Sequence, residues 1–177
     1  MKSIINKKNV DTTKQPLFFG EGLNLQRYDK YKYKKLFDLF LRQLSFFWRP
    51  EEVDLGGKEK SDFVTLTDHE KFIFTKNLSY QTLLDSVQGR GISHLLTDCS
   101  NPEFEAFAKA WEFSETIHSY SYTYIVKNVY ANPSEIFDNI LTDKQVLKRT
   151  ASVTEHYDNL INSIGDKDIN DRKRKLY

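Results

Sequence analysis

Residues 101–133 read NPEFEAFAKAWEFSETIHSYSYTYIVKNVYANP. Asn101 offers an N-cap, Pro102 suits the first helical position, and Glu103 and Glu105 suit the positive end of a helix dipole. No breaker follows until Asn132-Pro133, so the stretch predicts one helix of nearly ~30 residues, about 40 Å long. Alternating steps of three and four along it pick out Phe104, Phe107, Trp111, Glu115, His118, Tyr122, Ile125 and Val129. That is an apolar seam interrupted by three polar residues at its middle. Glu115, His118 and Tyr122 fall within about 60° of one another around the axis, while Tyr120 and Tyr124 fall about 140° and 180° from Glu115 and face away.

Working back from this helix, Thr67 and Glu70 have capping-box spacing and open another helix, expected to reach about Gln88 and to stop at Gly89-Arg90-Gly91. On it Phe74, Leu78, Gln81 and Asp85 share a face, so Asp85 also points inward. An earlier helix is expected from about Lys30 to Phe47, stopped by Trp48-Arg49-Pro50, with a loop containing Gly56-Gly57 after it. A last one is expected from a second capping box, Thr142 to Gln145, to about Ile164. The organisation predicted is an extended arm over 1–26 with one apolar patch at Leu17-Phe18-Phe19-Gly20, a helical body over 27–164, and a charged segment over 165–177. Thirteen Phe and ten Tyr against seven Gly and four Pro agree with packed helices rather than a turn-rich β-fold. The fold class is all-α.

Lys+Arg 26 against Asp+Glu 25 gives no electrostatic case for nucleic acid or an anionic membrane as partner. The single cysteine, Cys99, excludes an internal disulfide framework and a cysteine-only zinc site, and is expected to be a half-buried inert thiol in a reducing compartment. The first fifteen residues, MKSIINKKNVDTTKQ, lack the apolar segment of a signal peptide, and no run approaches the ~18 apolar residues of a membrane span. No internal repeat or low-complexity stretch is present. A cytoplasmic protein is expected.

A carboxylate and an imidazole inside an apolar seam need partners, because an unpaired buried charge costs several kcal/mol. A metal ion is one such partner and another ion pair is the other; periodicity leaves both open. Glu-x-x-His on a bundle helix is half of the set with which di-iron and di-manganese carboxylate proteins cage their metals. His69, His94 and His156 belong to no ligand spacing. Gln81, one turn before Asp85, reads equally as a hydrogen-bond partner of that acid or as an ordinary buried amide.

Three stretches go further: Arg42-Gln-Leu-Ser-Phe-Phe-Trp-Arg-Pro-Glu-Glu52, Tyr80-Gln-Thr-Leu-Leu-Asp-Ser-Val-Gln-Gly-Arg90 and Phe113-Ser-Glu-Thr-Ile-His-Ser-Tyr-Ser-Tyr-Thr123. Pro16-Leu-Phe-Phe-Gly20 and Lys173-Arg-Lys-Leu-Tyr177 fit the same pattern, so nearly the whole chain resembles the N-terminal half of the small (beta) subunit of class I ribonucleotide reductases of bacterial and bacteriophage type. The resemblance implies a ferritin-like helical bundle holding two iron ions, or manganese in some relatives. Asp85 resembles the terminal aspartate ligand, Glu115 the bridging glutamate and His118 an imidazole ligand. Tyr122 resembles the tyrosine oxidised to a stable radical, with Leu78 and Ile125 as apolar walls. Trp48 resembles the relay that passes the radical to the large catalytic subunit, where ribonucleotides are reduced. Trp48 as a helix end packed on a core, and Tyr122 as one packing tyrosine among several, are the plainer readings.

The sequence departs from the family pattern in two ways. Ser119-Tyr-Ser-Tyr-Thr-Tyr124 stands where the family commonly reads Ser-Arg-Ser-Tyr-Thr-His; both changes lie on the outward face of the helix. Nothing after Ala131 supplies the second carboxylate or the second Glu-x-x-His. The expectation is therefore a split or interrupted small subunit. Its C-terminal half would come from another chain, and it would form a homodimer-type assembly that docks on the large subunit, in a host cytoplasm if phage-encoded. An inert remnant and a metal-free helical interaction protein are the competing readings.

Overall fold

The computed structural model describes residues 4–164 and 168–177, so residues 1–3 of the expected arm and 165–167 of the expected charged segment lie outside it. The described residues form α1 (Lys34–Ser45), α2 (Lys58–Thr65), α3 (Asp68–Leu95), α4 (Pro102–Val129), α5 (Pro133–Ile140), α6 (Lys144–Asn162) and α7 (Ile169–Leu176), with no strand among them. They divide into two compact units, 1–47 with 91–113, and 48–90 with 114–177.

In the first unit the arm is tied down by backbone bonds. Phe19 N–H donates to the Asp98 carbonyl at 2.9 Å, and Ser100 N–H donates to the Leu17 carbonyl at 2.9 Å. The Ser100 hydroxyl accepts from Gly20 N–H and donates to the Pro16 carbonyl. Gly20 is required by close approach: a Cβ there would lie 2.8 Å from Pro16 Cδ and 2.9 Å from Ser100 Oγ. Phe19 beside it takes φ 61°, a left-handed value that costs roughly 1–2 kcal/mol for a residue with a Cβ. Asn101 caps α4 as predicted, its Oδ1 accepting from Phe104 N–H at 2.9 Å. Phe104, Phe107 and Trp111 form a run of ring contacts but are only half-buried; the fully covered residues of this stretch are Ala106, Ala108 and Ala110. The seam is therefore open along its aromatic edge, and the helix is covered where small side chains admit a neighbour. Cys99 is buried rather than half-buried, its thiol pushed up to about 11 by loss of water, which leaves it unreactive.

In the second unit α3 and α4 run antiparallel. Thr75 Oγ1 meets Tyr130 Oη at 2.7 Å near one end, and Tyr122 meets Asp85 further along. The Thr67–Glu70 capping box forms, with Thr67 N–H donating to Glu70 and Glu70 N–H donating back to Thr67 Oγ1. Phe63 of α2 packs on Phe74 and Tyr130, although Phe74 keeps 39% of its surface exposed. The second expected box works differently: Asp143, not Thr142, is the cap of α6, its carboxylate accepting from Gln145 and Val146 N–H. Arg149 of α6 lies over the Tyr80 ring of α3, and Val146, Thr150 and Leu160 are buried. Part of the charged C-terminal segment is the helix α7, whose Arg172 donates to the Ser163 hydroxyl at 3.0 Å.

Candidate metal centre

Asp85, on α3, and Glu115 and His118, on α4, come together within the second unit. Both carboxylates are buried, at 8% and 7% exposure, and the His118 side chain is 44% exposed. His118 Nδ1 lies 3.1 Å from Glu115 Oε2 and 3.6 Å from Asp85 Oδ2. One donor atom from each residue lies within 4.8 Å of the others. Two ligands about 2.1 Å from a common ion stand about 3.0 Å apart at a right angle and about 4.2 Å apart when opposed. The two His118 distances, 3.1 and 3.6 Å, fall within that range, and carboxylate with imidazole is a donor set for iron, manganese or zinc.

The convergence follows from local spacing plus one register. The i, i+3 relation of Glu115 and His118 sets both on one face of α4. Gly89 of α3 faces that side of α4, where a Cβ added to it would stand in ordinary contact, 3.4 Å from Glu115 Cβ. Tyr122, one turn beyond His118, donates its hydroxyl proton to Asp85 Oδ2 at 2.7 Å. Burial pushes the Asp85 carboxyl upward against the pull of that hydrogen bond. Burial first, and then the bond to Asp85, raise the Tyr122 phenol well above the usual tyrosine range. Leu78 is buried and Ile125 half-buried in the same unit.

Residues expected elsewhere are found elsewhere. Tyr120 and Tyr124 point away, Tyr120 bonding to the Glu51 carboxylate and Tyr124 to the Val53 carbonyl. His69 and His156 are exposed, His94 is half-buried, and none belongs to the cluster. Gln81 is half-buried one turn before Asp85, and Trp48, at 37% exposure, starts the stretch that leads to Val53. Tyr157 of α6 was not singled out from sequence. Burial and then the charge of Glu115 raise its phenol, so α6 brings a second tyrosine within electrostatic reach of the site. Only tertiary register places it there; no spacing within the chain signals it.

A family model described as ribonucleotide reductase, small chain, matches residues 26–175. The chain is 50% identical over 152 residues to the ribonucleoside-diphosphate reductase 1 subunit beta of Escherichia coli O157:H7, covering 85% of this chain and 40% of the relative. It is 44% identical over 162 residues to the subunit beta of Enterobacteria phage T4, covering 91% and 42%. Among solved structures, the ribonucleotide reductase R2 subunit from Clostridium botulinum superposes with TM-score 0.84 at 27% identity, over 98% of this chain and 54% of that one. A dimanganese(II)-NrdF of Streptococcus sanguinis, at 24% identity, shares the fold with TM-score 0.63 over 77% of this chain and 48% of that one. The ferritin-like all-α fold is thereby borne out. The chain spans about two fifths of the length of these curated relatives.

Proposed function

Because this chain belongs to the family of ribonucleotide reductase small chains, we propose that it forms the N-terminal part of a ribonucleoside-diphosphate reductase beta subunit and holds half of its two-ion metal site. Asp85, Glu115 and His118 are the ligands from this half, for iron or manganese. The remaining carboxylate and the second Glu-x-x-His come from a further polypeptide stretch, the C-terminal half of the subunit. Such a metal pair, when bound, supplies one-electron oxidising power beside a phenol. The chain's own residues decide what that power acts on. Tyr122 is the phenol in place, and its bond to Asp85 Oδ2 gives the departing proton a defined acceptor 2.7 Å away. Leu78 and Ile125 keep water from the oxidised ring. Trp48 relays the oxidising equivalent to the large catalytic subunit, which reduces ribonucleotides. The other partners are a second small subunit and the chain that carries the missing ligands. No helix among the described residues is long and apolar enough to cross a membrane, which fits the cytoplasmic setting proposed.

The observation that carries this reading is the tyrosine hydroxyl bonded to one member of a cluster of two buried carboxylates and a half-buried imidazole. To test it, the chain is purified together with the polypeptide carrying the second Glu-x-x-His and loaded with ferrous iron in air. Metal content and the electron paramagnetic resonance spectrum are then measured. Two ions per assembled subunit and a tyrosyl signal lost in Tyr122→Phe are expected. A folded assembly that takes up metal yet gives the same signal in Tyr122→Phe would overturn the assignment of the radical.

A further inference from the structure

Tyr120 and Tyr124 are four residues apart on α4, so they lie one turn apart on the face opposite the metal cluster. Both reach the same short segment of the second unit. The Tyr120 hydroxyl donates to the Glu51 carboxylate, and the Tyr124 hydroxyl donates to the Val53 carbonyl at 3.2 Å. The first anchor point, Glu51, is the middle residue of a single 3₁₀ turn, Pro50–Glu52, and the second, Val53, directly follows that turn. The turn is closed by Glu52 N–H to the Arg49 carbonyl at 3.0 Å and Val53 N–H to the Pro50 carbonyl at 3.1 Å. Arg49 N–H adds a bond to Glu52 Oε1 at 3.2 Å, and Pro50 is the buried residue of the turn. Trp48 enters this turn directly, through Arg49. Trp48 keeps 37% of its surface exposed, so few side-chain contacts hold it and the placing of its backbone bears on its orientation.

We infer that Tyr120 and Tyr124 are positioning residues for Trp48: their two phenols clasp the Trp48–Val53 turn onto the outer face of α4. The clasp gives the turn two attachments that its own bonds cannot supply, since those bonds fix its shape and not its place. Part of its significance rests on the proposed relay role of Trp48; the clasp itself is tested separately.

The test is hydrogen exchange, read by mass spectrometry on the peptide spanning 48–57 of the full chain. One net hydrogen bond shifts an opening equilibrium about fivefold. Tyr120→Phe is therefore expected to speed exchange at the Glu52 and Val53 amides by about that factor, and Tyr120→Phe/Tyr124→Phe by more, with the α4 amides unchanged. Tyr120→Arg keeps a donor for Glu51 and is expected to restore the parental rate. In a Trp111→Phe background, where Trp48 is the remaining indole, the same phenylalanine variants are expected to lower its fluorescence anisotropy. If that background fails to fold, exchange measured without the Trp111 substitution decides the matter. Parental exchange in the double variant overturns the clasp, and so does a Tyr120→Arg chain that exchanges as fast as Tyr120→Phe. Failure of the relay is a different result: turnover retained by Trp48→Phe in the assembled reductase, with exchange at 48–57 behaving as described.

Discussion

Glu103 in the first unit is 1% exposed and ringed by donors: Asn101 Nδ2, Lys32 N–H at 2.8 Å and Tyr33 N–H at 3.4 Å. In the second unit, Asp85 and Glu115 are nearly as buried, but their oxygens converge with an imidazole nitrogen within 4.8 Å, and a phenol completes the group. Both neighbourhoods remove acids from water. N–H groups neutralise the first by pointing at it, so its lone pairs are spent on joining the segment before α1 to the start of α4. The second gathers lone pairs toward one point, which is what a cation requires. The direction in which the neighbours point, more than depth of burial, separates an acid that holds a fold together from one that can hold an ion.

The comparison breaks most visibly at Glu103. Glu103→Ala leaves three donors, one of them on the fully buried Asn101, without their acceptor and is expected to cost about 3 kcal/mol of stability, seen as a lower denaturant midpoint. Glu103→Gln keeps a carbonyl oxygen and is expected to recover much of it. A Glu103→Ala chain as stable as the parent would remove the structural half of the contrast.

The metal side gives the opposite result. His118→Ala in the assembled subunit is expected to weaken metal binding roughly a hundredfold or more, measured by competition with a chelator, with little change in the metal-free melting temperature. Asp85→Asn sharpens the point through pH. Burial raises the folded carboxyl of Asp85, so the metal-free chain gains from the protonated form. That gain is full below the ordinary carboxylate range, near about 3.9, and is lost as pH rises through the raised value. Asparagine cannot ionise and still accepts from Tyr122. The variant is therefore expected to melt higher than the parent at neutral pH and to show a flatter melting profile across the acid range, while losing metal. An Asp85→Asn chain less stable than the parent at pH 7 would mean that the charged form is favoured in the fold.

Gly20→Ala tests how the first unit closes. The added methyl meets Pro16 and Ser100 at under 3.0 Å, and a shift of the arm is expected to cost about 2 kcal/mol, checked by thermal melting.

Sequence reading reached the features set by local chemistry. The Asn101 cap and the Thr67–Glu70 box stand as expected because each needs only four residues. Glu115, His118 and Tyr122 share a face because one helix carries all three. It missed what long-range packing decides. Gly89-Arg90-Gly91 reads as a helix end, yet α3 continues to Leu95. A helical glycine costs only about 1 kcal/mol, which burial of Ile92 at 0% exposure outweighs. The short helix α5 went unread because Pro133 signals the end of one helix and the start of another equally well, and α2 because it starts directly after Gly56-Gly57, which reads as a loop. The bond from Tyr122 to Asp85 depends on the register of α3 against α4, which no spacing within either helix encodes.

The smallest effect is at Gly89, where helix propensity and the site meet. Its backbone is helical, so replacement by alanine relieves the entropy cost of glycine and is expected to stabilise the chain by about 0.5–1 kcal/mol. The new methyl would stand 3.4 Å from Glu115 Cβ, an ordinary contact, so α4 need not move and metal affinity should be unchanged. Valine at the same position adds two methyl groups where the alanine contact already fills the gap, and is expected to displace Glu115 and weaken metal binding. If Gly89→Ala alone abolished metal binding, the space between α3 and α4 would be as critical to the site as the ligands themselves, and the contrast with the donor-filled Glu103 pocket would have to be redrawn around backbone approach.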